Sequence, residues 1–75
     1  MAETRDPCTQ FGQRLRALRL ECGLSQEKLA EMAGLDRTYI SQCEAGKRNV
    51  TLKTIERLAA VLGVDPAALV SDRHG

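Results

Sequence analysis

The chain has 75 residues, a length that suits one domain with a single hydrophobic core. Its 11 Lys and Arg residues face 10 Asp and Glu residues, so the formal net charge at pH 7 is only +1. This balance excludes the uniformly basic surface of a non-specific nucleic-acid coat, and one Tyr, one Phe and no Trp argue against stacking platforms for single strands.

The first predicted helix follows a polar segment, residues 1–8, that we expect to be flexible. Its N-cap is either Asp6, with Pro7 at the first helical position, or Thr9. Apolar residues then recur at helical spacing until Gly23 ends the helix. The predicted buried stripe comprises Phe11, Leu15, Leu18 and Cys22, with Arg14, Arg16, Arg19 and Leu20 lying off it.

The stretch from Ser25 to Gly46 predicts two short helices joined by a tight turn. Ser25 suits the N-cap of helix 2, and Gly34 supplies the positive φ that such a turn needs. Ala30 is small enough for a second helix to cross closely, and Ile40 is placed to wedge between the two. The predicted inward residues are Leu29, Ala30 and Ala33 on helix 2, and Ile40 and Cys43 on helix 3, which begins near Asp36. The pattern favours a DNA-binding helix-turn-helix, with an ordinary αα-hairpin as the alternative.

Helix 3 is predicted to turn four polar side chains outward: Arg37, Thr38, Ser41 and Gln42. Arg can bind O6 and N7 of guanine, Gln can pair with adenine, and Thr can donate a hydrogen bond or touch a thymine methyl group. A solvated helix face is the alternative, but such faces usually carry Lys and Glu. We therefore predict that these four residues read bases.

The residues predicted to contact the DNA backbone lie in two places: the loop after helix 3 and the first turn of helix 2. Lys47, Arg48 and Asn49 directly follow helix 3, where two cations and an amide suit contacts to the sugar-phosphate backbone or a groove. A solvated turn is the alternative for this loop. Gln26, in the first turn of helix 2, is placed to meet a phosphate on the helix N-terminus.

Two further helices are predicted after this loop, and the domain as a whole covers residues 9–70. Thr51 caps helix 4, Gly63 ends it, and Asp65 followed by Pro66 begins a short helix 5, with residues 71–75 as a tail. The buried stripe of helix 4 is predicted to be Leu52, Ile55, Leu58, Ala59 and Leu62. Further apolar residues exceed what one small core needs and predict a homodimer interface: Val61, Val64, Leu69 and Val70.

The cysteines and the single histidine do not predict a metal site. Cys8, Cys22 and Cys43 cannot all pair with one another, no C-x-x-C motif occurs, and His74 lies in the tail. The N-terminal sequence has no apolar signal segment, and no apolar run approaches the length of a membrane span. We therefore expect a cytoplasmic protein with reduced thiols, no membrane contact, no cofactor and no small-molecule ligand.

From about Phe11 to Val70 the chain resembles the lambda-repressor/Cro-type helix-turn-helix domain of the XRE family, which implies an all-α fold of five helices. The matching segments are L-R-A-L-R-L-E-C-G-L-S-Q, L-A-E-M-A-G-L, Y-I-S-Q-C-E-A-G and L-A-A-V-L-G-V. Within that family, L-D-R-T-Y-I-S followed by K-R-N-V-T is similar to the controller proteins of restriction-modification systems. Those proteins are small, dimeric transcription regulators without an effector domain.

The resemblance implies roles for individual residues. Base-reading positions correspond to Arg37, Thr38 and Gln42, with Ser41 beside them. Contacts to the backbone or the neighbouring groove correspond to Gln26, Tyr39, Arg48 and Asn49. Arg19 and Glu44 correspond to an ion pair that joins helix 1 to helix 3 and orients the recognition helix. Cys22 and Cys43 depart from the family pattern, which more often has a polar and an aliphatic residue there.

The leading hypothesis is a sequence-specific regulator of transcription that binds double-stranded DNA as a homodimer. Two copies of helix 3 would enter successive major grooves about 34 Å apart on a pseudo-palindromic operator. The alternative is an antitoxin-like or adaptor protein that keeps the fold but binds another protein through helices 4 and 5. An enzyme is disfavoured, because no nucleophile-base pair, carboxylate pair or Gly-rich phosphate loop is present.

Overall fold

The computed structural model describes residues 6–70, which form five α-helices and no strand. The helices are α1 (Pro7–Glu21), α2 (Gln26–Ala33), α3 (Arg37–Glu44), α4 (Leu52–Leu62) and α5 (Ala67–Val70). This architecture confirms the predicted all-α fold. None of these helices combines the length and the apolar character that crossing a bilayer requires. The N-terminal residues 1–5 and the predicted tail, including His74, lie outside the described residues.

Short polar side chains satisfy the free amides at the start of each of the first four helices. Asp6 caps α1, its Oδ2 accepting from the backbone N of Thr9 at 3.1 Å, so the helix begins two residues before the predicted domain start at residue 9. Ser25 and Thr51 cap α2 and α4 as predicted, and Asp36 caps α3. Asp65 Oδ1 accepts from the backbone N of Ala67 at 2.9 Å, so α5 begins one residue after Pro66.

One hydrophobic core joins the helices, and α3 lies between α1 and α2 at its centre. Gly34 turns the chain between α2 and α3 with a φ of +71°, as predicted for this position. The short α5 folds back onto α1. The core comprises Phe11, Leu15, Leu29, Ala30, Ala33, Ile40, Cys43, Ile55, Leu58, Ala59, Leu62 and Leu69. The inward faces predicted for α2 and α3 are therefore confirmed.

Four residues differ from the predicted pattern of burial. Cys22 is exposed because it is the C-cap of α1 and lies beyond the last helical residue. Leu52 is 79% exposed because the first turn of α4 precedes the part of the helix that meets the core. Arg19, expected off the buried stripe, is buried by its contact with Glu44. Leu69 is fully buried by the return of α5, so its prediction as a dimer contact is wrong.

A glycine that no sequence pattern marks, Gly12, sets the crossing of α1 and α3. Gly12 is buried in the first half of α1, against the last turn of α3. A Cβ added there would overlap the carbonyl oxygen of Cys43 and lie 2.8 Å from the carbonyl oxygen of Glu44. Only a residue without a side chain permits this approach of one backbone to another.

Candidate nucleic-acid interface

Helix α3 buries one face and presents a polar face to the solvent. Ile40 and Cys43 are fully buried, and this fixes the rotation of the helix about its axis. Because positions three and four apart share a helix face, the other side carries the predicted base-reading residues. Arg37, Thr38 and Ser41 are exposed, and Gln42 is half-buried.

The loop after α3 folds back and adds a cation to this polar face. The backbone N of Lys47 donates to the carbonyl oxygen of Gln42 at 2.9 Å. Arg48 then extends along the helix: its Nε donates to Gln42 Oε1 at 3.0 Å, and its Cζ lies 4.7 Å from the centroid of the Tyr39 ring. Arg48 thus contacts two side chains of α3, in a cation–π arrangement with one of them.

The same loop is anchored on its other side to the N-terminus of α1. Asn49 Oδ1 accepts a hydrogen bond from Cys8 Sγ at 2.8 Å. Gly46, with a φ of +76°, packs so closely that a Cβ there would lie 2.8 Å from Thr9 Oγ1. Lys47 is exposed between these attachments. The loop is therefore held to two helices, unlike a turn that contacts only solvent.

A buried polar cluster joins α1, α2 and the end of α3. Arg19 donates to both carboxylate oxygens of Glu44, from Nε at 2.6 Å and from Nη2 at 3.0 Å, and from Nη1 to the carbonyl oxygen of Leu24 at 2.8 Å. The side chains of Arg19 and Glu44 are only 8% and 4% exposed. The hydrogen bond with Glu44 raises the pKa of Arg19, although burial acts in the opposite direction.

Gln26 belongs to this cluster and does not extend freely outward. Its Nε2 donates to Glu44 Oε1 at 3.1 Å, and the side chain is half-buried. The carboxylate of Glu44 lies within reach and accepts one of the two amide hydrogens. Gln26 therefore contacts the residue that Arg19 holds, an arrangement that the sequence pattern did not predict.

The helix-turn-helix family HTH_3 matches residues 15–69. The chain belongs to this family. It is 51% identical over 61 residues to the control protein C.BamHI of Bacillus amyloliquefaciens, covering 80% of this chain and 75% of that protein. These matches bear out the resemblance to the XRE family and to restriction-modification controllers.

Solved structures of this helix-turn-helix family have the same fold. The restriction-modification controller C.AhdI from Aeromonas hydrophila superposes with a TM-score of 0.81 at 52% identity, covering 83% of this chain and 94% of that one. SinR, the master regulator for biofilm formation, solved in complex with DNA, superposes with a TM-score of 0.79 at 35% identity, covering 81% of this chain and 98% of that one. The fold is thus shared by a controller and by a regulator seen on DNA.

The apolar residues that are predicted to form the dimer interface differ in their exposure to solvent. Val61 and Val64 are half-buried against the core, whereas Val70 is 55% exposed. Because Leu69 lies in the core, three residues of the predicted dimer interface remain: Val61, Val64 and Val70. Other large apolar side chains are exposed and were not predicted for an interface: Leu20, Met32 and Leu52.

The three cysteines, Cys8, Cys22 and Cys43, are free thiols that differ in burial. Burial raises the pKa of the Cys43 thiol to about 11, so this thiol stays protonated at neutral pH. Cys22 is exposed, and its Sγ lies 3.7 Å from the carbonyl oxygen of Leu62. Within residues 6–70, no group of three or more His, Cys, Asp or Glu side chains is arranged to hold a metal ion.

Proposed function

We propose that this protein is a sequence-specific regulator of transcription that binds double-stranded DNA as a homodimer, and that it is the controller of a restriction-modification system. The observation that carries the proposal is the exposed polar face of α3, with Arg37, Thr38 and Ser41 on a helix rotated by the burial of Ile40 and Cys43. Membership of the helix-turn-helix family and 51% identity to a control protein support the role.

In the proposed complex, α3 enters the major groove, which is wide enough to admit an α-helix. Arg37 binds the O6 and N7 acceptors of guanine, and Thr38 and Ser41 contact neighbouring bases. Lys47 and Asn49, exposed in the loop after α3, contact the sugar-phosphate backbone and set the register of the protein on the duplex. Tyr39 and Gln26 complete the backbone contacts in this proposal, with the amide hydrogen of Gln26 that Glu44 does not accept available to a phosphate.

The proposed homodimer places two copies of α3 on one side of the duplex. Half-sites about 34 Å apart correspond to one turn of DNA, so the operator is pseudo-palindromic. We propose that Val61, Val64 and Val70 contribute to the contact between the copies. The proposed action is in the cytoplasm and involves no catalytic step, cofactor, small-molecule ligand or membrane.

Selection of bound duplexes from a random pool tests the proposal. The wild-type protein is expected to enrich one pseudo-palindromic sequence. Arg37→Ala is expected to lower affinity for that sequence by roughly 5- to 150-fold, equivalent to about 1–3 kcal/mol, and to relax base choice at one position of each half-site. The proposal fails if no sequence is enriched, or if Arg37→Ala binds the enriched sequence as the wild type does.

A second substitution separates backbone contacts from base contacts. Lys47→Ala is expected to weaken binding to all duplexes by a similar factor and to reduce the slope of log affinity against log salt by about 1. Arg16→Ala, an exposed arginine on α1, is the control for loss of one positive charge outside the proposed interface. If the Arg37 and Lys47 variants show the same change in base preference, the division into base and backbone contacts is wrong.

A further inference from the structure

Arg48 was predicted to hold the DNA backbone, but the structure gives its guanidinium a different set of neighbours. Although it is exposed, the group lies along α3, over Tyr39 and beside Gln42. Tyr39 and Gln42 are three positions apart and therefore share a face of the helix. Arg48 is thus part of the surface that carries the base-reading residues.

The hydrogen bond between Arg48 and Gln42 determines which way the Gln42 amide faces. Arg48 Nε is a donor only, so the group 3.0 Å away from it must be the carbonyl oxygen of the amide. Rotating the amide by half a turn would place two donors against each other. Gln42 therefore directs Oε1 toward Arg48 and its NH2 group away from it.

Two further contacts hold Arg48 in this position. The backbone hydrogen bond from Lys47 N to the carbonyl oxygen of Gln42, 2.9 Å long, fixes the residue next to Arg48 at the end of α3. The Tyr39 ring, 4.7 Å from Arg48 Cζ, accommodates the guanidinium by a cation–π contact. The Nη groups retain their hydrogens for a ligand. Arg48 and Gln42 together present mainly donors, and one of the two lone pairs of their single acceptor, Oε1, already faces Arg48 Nε.

Adenine and guanine place different groups in the major groove, and this surface discriminates between them. A bidentate contact from Gln to adenine requires Oε1 to accept from the N6 amino group while Nε2 donates to N7. Oε1 keeps a second lone pair, but the Arg48 guanidinium stands beside it, so the N6 amino group of adenine would approach both the acceptor and a cluster of positively charged donors. Guanine offers two acceptors, O6 and N7, which suit the NH2 of Gln42 and the Nη groups of Arg48.

We propose that Arg48 is a specificity-determining residue, which holds Gln42 as a hydrogen-bond donor and makes the pair select guanine over adenine. The proposal rests on the proposed function and refines it, since it concerns which base one residue of α3 selects. Gln42 touches the base in this arrangement, and Arg48 both positions Gln42 and supplies donors of its own.

The test is a selection of bound duplexes with the full chain and three variants. Gln42→Ala identifies the base pair that Gln42 contacts as the position where preference is lost. Arg48→Met removes the donors and the charge but keeps a long side chain. Lys47→Met removes one charge from the same loop and leaves the Arg48–Gln42 hydrogen bond in place. Thermal unfolding followed by circular dichroism shows that each variant is folded.

The wild type is expected to prefer guanine at the position identified by Gln42→Ala. Arg48→Met removes the charged donors beside Oε1, and we expect the ratio of guanine to adenine binding there to fall by roughly tenfold or more. Lys47→Met is expected to weaken all duplexes and leave that ratio unchanged. In the Gln42→Ala background, Arg48→Met is expected to alter the ratio of guanine to adenine binding much less, because the amide that Arg48 positions is absent.

The proposal is overturned if Arg48→Met and Lys47→Met change affinity alike with the same base preferences, since Arg48 would then act only as a charge. It is also overturned if the wild type prefers adenine at the Gln42 position, or if Gln42→Ala alters no position. If the wild type enriches no sequence, the proposed function fails as well. If the wild type enriches a sequence and Arg48→Met keeps the same base preferences, only the proposal about Arg48 fails.

Discussion

Helix α3 carries two polar regions that differ in their surroundings. At its C-terminal end, Glu44 is enclosed and accepts hydrogen bonds from Arg19 and Gln26. On its outer face, Arg37, Thr38 and Ser41 are exposed to solvent. Both regions are built from charged and polar side chains, so their difference comes from burial and not from composition.

The difference shows how one short helix is both positioned and left able to bind. A buried ion pair contributes little net stability, because removal of both groups from water offsets their attraction. The pair does, however, disfavour other positions of α3 relative to α1, because such positions would leave a buried charge without its partner. The buried region therefore fixes the position of α3. The exposed side chains on its outer face make few contacts within the protein, so little has to be broken when they bind DNA.

The largest expected effect comes from leaving the buried charge without its partner. Glu44→Ala is expected to lower the free energy of unfolding by about 3–5 kcal/mol, because Arg19 stays buried and unpaired. Urea unfolding followed by circular dichroism measures this. The control is Glu31→Ala in the surface pair Lys28–Glu31, whose side chains are 55% and 70% exposed and whose charged atoms are 3.6 Å apart. Its expected cost is about 0–1 kcal/mol, and equal losses would contradict the comparison.

A smaller effect is expected from the thiol beside this cluster. The pKa of Cys43 is about 11 in the folded protein against an ordinary 9.0, so the unfolded chain loses this proton first as pH rises. The stabilisation by the neutral thiol is complete below pH 9 and is lost as pH rises to about 11, amounting to about 2–3 kcal/mol. Urea unfolding at several pH values measures the loss. Cys43→Ala should lose less stability over the same interval, and an identical pH dependence would refute this cause.

Gly12→Ala probes the backbone contact that places α1 on α3. Alanine favours helix by about 1 kcal/mol over glycine, but its Cβ would overlap the carbonyl oxygen of Cys43. We expect the clash to dominate and the free energy of unfolding to fall by about 1–3 kcal/mol. Thermal and urea unfolding measure the sign. A stabilised variant would show that α1 and α3 separate easily at this crossing.

The smallest effect on stability is expected on the outer face. Arg37→Ala should change the free energy of unfolding by less than about 0.5 kcal/mol, because the side chain is exposed. The same variant is expected to lose DNA affinity, as proposed above. Comparing unfolding with binding in one preparation measures both. A stability loss as large as that of Glu44→Ala would mean that Arg37 belongs to the scaffold.

Sequence pattern predicted the helices because their signals are local. Ser25 and Thr51 cap the helices that they precede, and Gly34 turns the chain with positive φ. Helical spacing likewise placed Ile40 and Cys43 inward, which left Arg37, Thr38 and Ser41 outward. These features depend on a few neighbouring residues, so a single sequence contains them. The assignment of these side chains to individual bases stays a prediction.

Tertiary structure alone decided the features that join distant segments. Helical spacing put Arg19 off the buried stripe, but Glu44, 25 residues later, draws it into the interior. Leu69 belongs to the core only because α5 returns to α1, and Gly12 matters only because the α3 backbone crosses at that point. Arg48 likewise meets Tyr39 and Gln42 only once its loop is attached to α1 and α3. The physical reason is that burial and pairing depend on which surfaces meet in space, and local spacing along the chain does not contain that information.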